Sequence, residues 1–225
     1  MSWGSLEVHR RQERNRAVKI SLLFFLAFLA VTEQIFTKSY LYTLDHKIKA
    51  IKHHTFRGLP SHLLLALDDL GLRSLTATCL LVTAVLLSYR FKSWRPINLS
   101  LAALFLLNGV VGLAKIELGR SKPRQHFDFF HSGIVGSYPS GHSSNALLTW
   151  GMLAYLIYRY TKFGATKLRF LYILVGSVTS LVCLVSLLRN THWFSDLIGG
   201  AFLGGAILVF LIAADRAWPS VRQPS

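Results

Sequence analysis

Residues 168–196 read LRFLYILVGSVTSLVCLVSLLRNTHWFSD, an apolar run of helix length that ends in Arg189, His192 and Asp196. Its first part, 168–188, reaches the roughly 20 residues needed to cross the hydrocarbon core of a bilayer. Further apolar runs lie outward from it at 18–36, 72–89, 97–118, 145–160 and 197–214. The pattern predicts an all-α integral membrane protein, a bundle of six transmembrane helices. The 145–160 run is the shortest, and 18–36 is interrupted by Lys19, Glu33 and Gln34. No small-x-small cleavage spacing follows the 22–31 core, so the first run reads as an uncleaved anchor.

At 225 residues, 52% hydrophobic and 16% charged, the chain suits one domain poor in charge. A basic N-terminus, 1–17, precedes a membrane domain at 18–216, and 217–225 forms a tail. The net charge of +15 suggests nucleic acid at first sight. Yet the basic residues cluster between apolar runs instead of lining one polar face, so the partner is the bilayer and not nucleic acid. Cys79 and Cys183 sit inside apolar runs without metal-ligand spacing and indicate neither a disulfide framework nor a zinc site. Between the first two runs, Leu41, Leu44, Ile48 and Ile51 recur at helical spacing among Asp45, Lys47, Lys49 and Lys52, before Gly58 and Pro60. That stretch predicts a short amphipathic helix on the membrane surface. Its His46, His53, His54 and His62 have no carboxylate at ligand spacing and read as headgroup-facing.

Phosphoryl transfer needs cations and N–H donors around the non-bridging oxygens, a nucleophile in line and an acid for the leaving oxygen. Three clusters at the ends of apolar runs supply them. Lys115 ends the third run and Lys122-Pro123 follows, with Gly119 and Ser121 breaking the helix so that both ammonium groups curl toward one anion. Tyr138-Pro139-Ser140-Gly141-His142 precedes the fourth run. There the Ser140 hydroxyl and Gly141 N–H suit phosphate oxygens at a helix N-terminus, and His142 suits protonation of a departing alkoxide. In the last cluster, a helix starting near His192 places Asp196 one turn further on the same face. The carboxylate can take the imidazole proton and leave the other ring nitrogen free to attack phosphorus. Arg189, one turn before His192, can fork two phosphate oxygens. Each cluster has a plainer reading: a snorkelling Lys115 paired with Glu117, a helix cap with an incidental histidine, an Arg-His-Trp interfacial anchor. Three such clusters together favour the chemical one.

These residues resemble the type 2 phosphatidic acid phosphatase superfamily, which includes membrane lipid phosphatases and, as soluble relatives, the vanadium haloperoxidases. The likeness covers the catalytic core at 99–214. The family pattern is Lys, six residues, Arg-Pro; then Pro-Ser-Gly-His; then Ser-Arg, five residues, His, three residues, Asp. The middle motif is complete at Pro139 to His142, and His192 with Asp196 keeps the third spacing. The resemblance implies attack by His192 to give a phosphohistidine, proton donation from His142, orientation of His192 by Asp196, and neither metal nor cofactor. Two positions depart from it. Lys122 stands where the family has Arg, and Ser186, after Val185, stands where the third-motif Arg is expected. Arg189, one turn after Ser186, is the expected substitute, with Arg120 or Arg124 in reserve.

The reading that results is a membrane-embedded phosphatase acting on a phosphomonoester or diphosphate of a lipid. Candidate substrates by resemblance are phosphatidylglycerol phosphate, phosphatidic acid, polyprenyl diphosphate and phosphorylated lipid A. A phosphotransferase using the same intermediate and a catalytically silent lipid-binding protein are the alternatives. Most Lys and Arg residues outside the clusters fall on the side of the termini, which predicts a bacterial inner-membrane protein with its site facing outward. Phe127, Phe129 and Phe130 are candidates for the lipid entry.

Overall fold

The computed structural model describes residues 3–55, 61–125, 130, 136–161 and 165–217. Its α-helices, in chain order, are α1 (Trp3–Phe36), α2 (Tyr40–Thr55), α3 (Ser61–Asp68), α4 (Arg73–Phe91), α5 (Arg95–Leu118), α6 (Gly141–Asn145), α7 (Gly151–Tyr160), α8 (Ala165–Leu188) and α9 (Phe194–Ala217). A 3-10 turn, Asp69–Gly71, joins α3 to α4, and a π turn, Ala146–Trp150, joins α6 to α7. No strand forms among the described residues; Arg120 and Phe130 make an isolated bridge.

Five stretches are long and apolar enough to cross a membrane: Arg11–Phe36, Arg73–Phe91, Arg95–Leu118, Thr166–Leu188 and Phe194–Ala217. Leu23, Leu86, Phe105 and Phe170 are exposed on α1, α4, α5 and α8, Phe105 at 79%. Such faces are costly in water and at home in lipid, as befits a membrane protein. The first stretch begins earlier than the sequence suggests, because the basic segment before Val18 continues the helix. The 145–160 run also differs from expectation. Its helix starts at Gly141, and the π turn divides it into pieces each too short to span alone, although α6, the turn and α7 adjoin without a break.

The helix α9 is the centre of the bundle. Over half of its most apolar window is buried, 56% against 17% for α1 and α4, and α1 packs along its length. Glycine makes close approach possible on its other side. A Cβ on Gly200 would stand 2.4 Å from the Ser140 carbonyl oxygen, and one on Gly204 would stand 2.6 Å from that of Ser144. The α6 backbone therefore rests directly on α9, as small residues allow in membrane helices. At the far end, buried Asp215 ties three helices together: Arg95 of α5 at 2.5 Å, Arg159 of α7 at 3.2 Å and the Tyr155 hydroxyl at 2.5 Å.

The stretch between the first two runs forms two helices, α2 and α3, with Gly58 and Pro60 outside the described residues. Asp45 departs from the polar face of a simple amphipathic helix: it is 1% exposed. Its partner, equally buried, is Arg120.

Candidate active site

Gly119 ends α5 in a left-handed conformation at φ 45°, which glycine adopts without a Cβ penalty, and its N–H caps the Lys115 carbonyl. The chain then turns inward, so Lys115 and Lys122 reach the same side of the bundle. At the start of α6, Ser140 is the N-cap and accepts from the Ser143 N–H. Its own N–H donates to the Asp196 carbonyl at 2.9 Å, fastening the second cluster to the third.

Lys115, Lys122, Gly141, His142 and His192 line one cleft of about 440 Å³, joined by Gly71, Leu72, Arg73, Gly136 and Asn145. Residues far apart in sequence are thus gathered at one end of the bundle. The His142 and His192 rings stand 5.9 Å apart, centroid to centroid. Lys115 Nζ donates to the carbonyls of Gly136 (3.0 Å) and Ser137 (3.2 Å), which holds the loop against α5 while the ammonium remains in the cleft wall.

Asp196 is fully buried and divides its oxygens between two tasks. Oδ2 accepts from the Trp193 N–H at 3.0 Å and lies 3.5 Å from His192 Nδ1. Oδ1 accepts from Arg120 at 3.1 Å. The Nδ1 edge of the His192 ring therefore lies against the carboxylate, while the residue also lines the cleft. The 3.5 Å contact is long for a hydrogen bond, and Nδ1 has no hydrogen-bond partner among the described residues.

Arg120 lies at the centre of a buried network. Its guanidinium donates to Ser195 Oγ (2.8 Å), Asp196 Oδ1 and Asp45 Oδ2 (2.9 Å), and sits 4.8 Å from the Trp193 ring centroid. Asp45 also accepts from the Ser195 N–H at 2.9 Å. Burial pushes the Asp45 carboxyl above its usual range, against the opposing pull of Arg120 and Ser195. Arg120 is therefore a clamp between α2 and the carboxylate behind His192, and no reserve ligand for phosphate. Nothing in the local sequence marks it, since its partners lie 75 or more residues away.

Two of the expected anion contacts have other partners. Ser140 is fully buried as a helix cap and does not line the cleft. Arg189 is ion-paired with Asp68, whose other oxygen accepts from Ser186 Oγ at 2.7 Å, so the substitute expected from spacing is bound to a carboxylate. Arg124 donates to the Arg189 carbonyl at 3.0 and 2.6 Å. Asp68 also lies 3.9 Å from His142 Nε2. Of the aromatic residues expected at a lipid entry, Phe130 packs on Phe36 with centroids 5.1 Å apart, while Phe127 and Phe129 lie outside the described residues. Asp45, Asp68 and Arg73 escape sequence reasoning because they precede every motif. Ionisable residues beside apolar runs are the one hint of them.

Known proteins resemble this chain in sequence and in fold. Over 76 residues the chain is 33% identical to phosphatidylglycerophosphatase B of Bacillus subtilis (strain 168), a match covering 34% of this chain and 37% of that protein's length. A crystal structure of a transmembrane PAP2-type phosphatidylglycerolphosphate phosphatase from Bacillus subtilis superposes with a TM-score of 0.78 at 20% identity, covering 90% of this chain and 98% of the other. The profile of the PAP2 superfamily matches residues 95–219, more than half of the sequence and the part that carries all three clusters. The chain belongs to the PAP2 superfamily.

Proposed function

We propose that this protein is a membrane-embedded lipid phosphatase that removes a phosphate, or the terminal phosphate of a diphosphate, from a phosphorylated lipid. The observation that carries the reading is the single cleft lined by two lysines and two histidines, one histidine backed by a buried carboxylate. Lys115, Lys122 and the Gly141 N–H neutralise the phosphoryl oxygens. His192 attacks phosphorus with Nε2, the bond from phosphorus to the lipid oxygen breaks, and His142 gives its proton to that oxygen. Asp196 stabilises the imidazolium through Nδ1. Water then attacks the phosphohistidine, losing its proton to His142, and inorganic phosphate leaves with His192 restored. Arg189 and Ser140 act indirectly, Arg189 by holding Asp68 beside His142 and Ser140 by capping α6.

Phosphatidylglycerol phosphate is the first substrate to test, because both Bacillus subtilis relatives are named for it. Phosphatidic acid, polyprenyl diphosphate and phosphorylated lipid A complete the panel. The cations that bear on the anion are side chains of the protein, so the reaction needs no divalent metal. The purified protein is expected to release phosphate from at least one of these lipids with excess EDTA present. Release from none, or complete loss in EDTA restored by magnesium, contradicts the reading.

The continuous run from Gly141 to Tyr160, about 30 Å long, serves as the sixth span, and α2 lies along the membrane surface. The termini and the Asp215 cluster then face the cytoplasm of a bacterial inner membrane and the cleft faces outward. A cysteine placed at 126–135, with Cys79 and Cys183 replaced, is expected to react with an impermeant maleimide on intact cells. Reaction only after lysis overturns this orientation.

A further inference from the structure

Among the residues lining the cleft, Arg73 is the one arginine. It is exposed, and no acidic partner engages it among the described residues. Its position is fixed by its neighbours. Asn145 Nδ2 donates to the Gly71 carbonyl at 2.8 Å and to Thr76 Oγ1 at 2.7 Å, pinning the chain on both sides of Arg73. Trp150 Nε1 donates to the Leu70 carbonyl at 2.9 Å. Gly71 is buried where an added Cβ would meet Val182 Cγ1 at 2.7 Å and the His142 carbonyl oxygen at 3.1 Å.

Val182 and Ser186 stand one turn apart on α8, so this tight turn occupies the helix face from which an arginine at 186 would extend. Serine there leaves room for Asp68, which in turn engages Arg189. The turn that fills the space continues directly into Arg73. Lys122, meanwhile, offers a point charge where a planar fork is expected.

We infer that Arg73, entering from α4, supplies the guanidinium that grips the phosphoryl group in place of the missing third-motif arginine. Resting on the phosphatase reading above, this makes Arg73 a residue that touches substrate and leaves Arg189 a positioning role. In kind, the exchange moves one phosphate contact from α8 to α4 while keeping its charge and fork.

Two readouts on the purified full-length protein test it: kcat/KM on the best lipid of the panel, and orthovanadate binding by calorimetry, which needs no turnover. Arg73→Ala is expected to weaken vanadate binding about ten- to hundredfold and to lower kcat/KM about a hundredfold. Arg73→Lys recovers part of both, and the unfolding temperature stays at the wild-type value because no protein partner is lost. Should Arg73→Ala unfold, Arg73→Gln keeps the stem and carries the same expectation. Wild-type vanadate affinity and kcat/KM in a folded Arg73→Ala or Arg73→Gln variant overturn the inference. A wild-type protein that binds vanadate through Arg73 but releases phosphate from no lipid upholds the clamp and refutes the hydrolase reading instead.

Discussion

His192→Ala is expected to reduce phosphate release by a thousandfold or more on every substrate, because it removes the atom that bonds to phosphorus. The unfolding temperature should change little, since the His192 ring contributes one long contact to Asp196 and no other hydrogen bond among the described residues. His142→Ala tests the partner role and should behave differently. A lipid alkoxide is a poor leaving group and needs the proton, so loss of the acid costs roughly a hundred- to ten-thousandfold. An aryl phosphate departs without help, and on it His142→Ala should be impaired far less than His192→Ala. Steady-state rates on the two substrate types separate the roles. A His192→Ala variant retaining more than about a tenth of wild-type activity would remove the nucleophile from the proposal, and equal losses on both substrates in His142→Ala would remove the acid.

The second large effect is expected at Arg120. Replacing it by alanine leaves Asp45 and Asp196 buried without their shared cation, and breaking a buried pair of this kind costs about 3–5 kcal/mol. The apparent unfolding temperature should fall by roughly 10 °C, and activity should fall with it as the carboxylate behind His192 loses its anchor. Arg120→Lys should rescue little. One ammonium cannot span Ser195, Asp196 and Asp45, nor can it lie flat beside the Trp193 ring. Adding Asp45→Asn to Arg120→Ala removes one stranded charge, so the double variant should be more stable than the single one. Thermal unfolding in detergent measures all three, and a wild-type unfolding temperature for Arg120→Ala would show that the network contributes nothing.

The contrast between these sites marks how far the sequence could be read. That His142 and His192 share a cleft, with Asp196 beside His192, was legible because the signals are local: a helix turn separates His192 from Asp196, and a Ser-Gly pair precedes His142. The helices were legible because a bilayer demands about 20 apolar residues for each span. Which face of each helix turns inward was not, since lipid accepts apolar side chains as readily as the core does. So nothing in the pattern of α9 announced that Gly200 and Gly204 seat the α6 backbone. Asp45 and Asp68 stayed hidden for a related reason: their hydrogen-bond partners lie 75 or more residues away. The spacing that pointed to Arg189 was sound as helix geometry, placing it one turn beyond Ser186. It could not reveal that Asp68 would hold Arg189 in an ion pair.

The central claim, that phosphate passes through a covalent bond to His192, is tested most directly by stereochemistry at phosphorus. An isotopically chiral phosphoryl group would be transferred by the purified protein from a lipid monoester to an alcohol acceptor, and its configuration read by phosphorus NMR. Two successive in-line displacements, onto His192 and off it, are expected to give net retention. Net inversion would mean a single direct attack by the acceptor and would contradict the account.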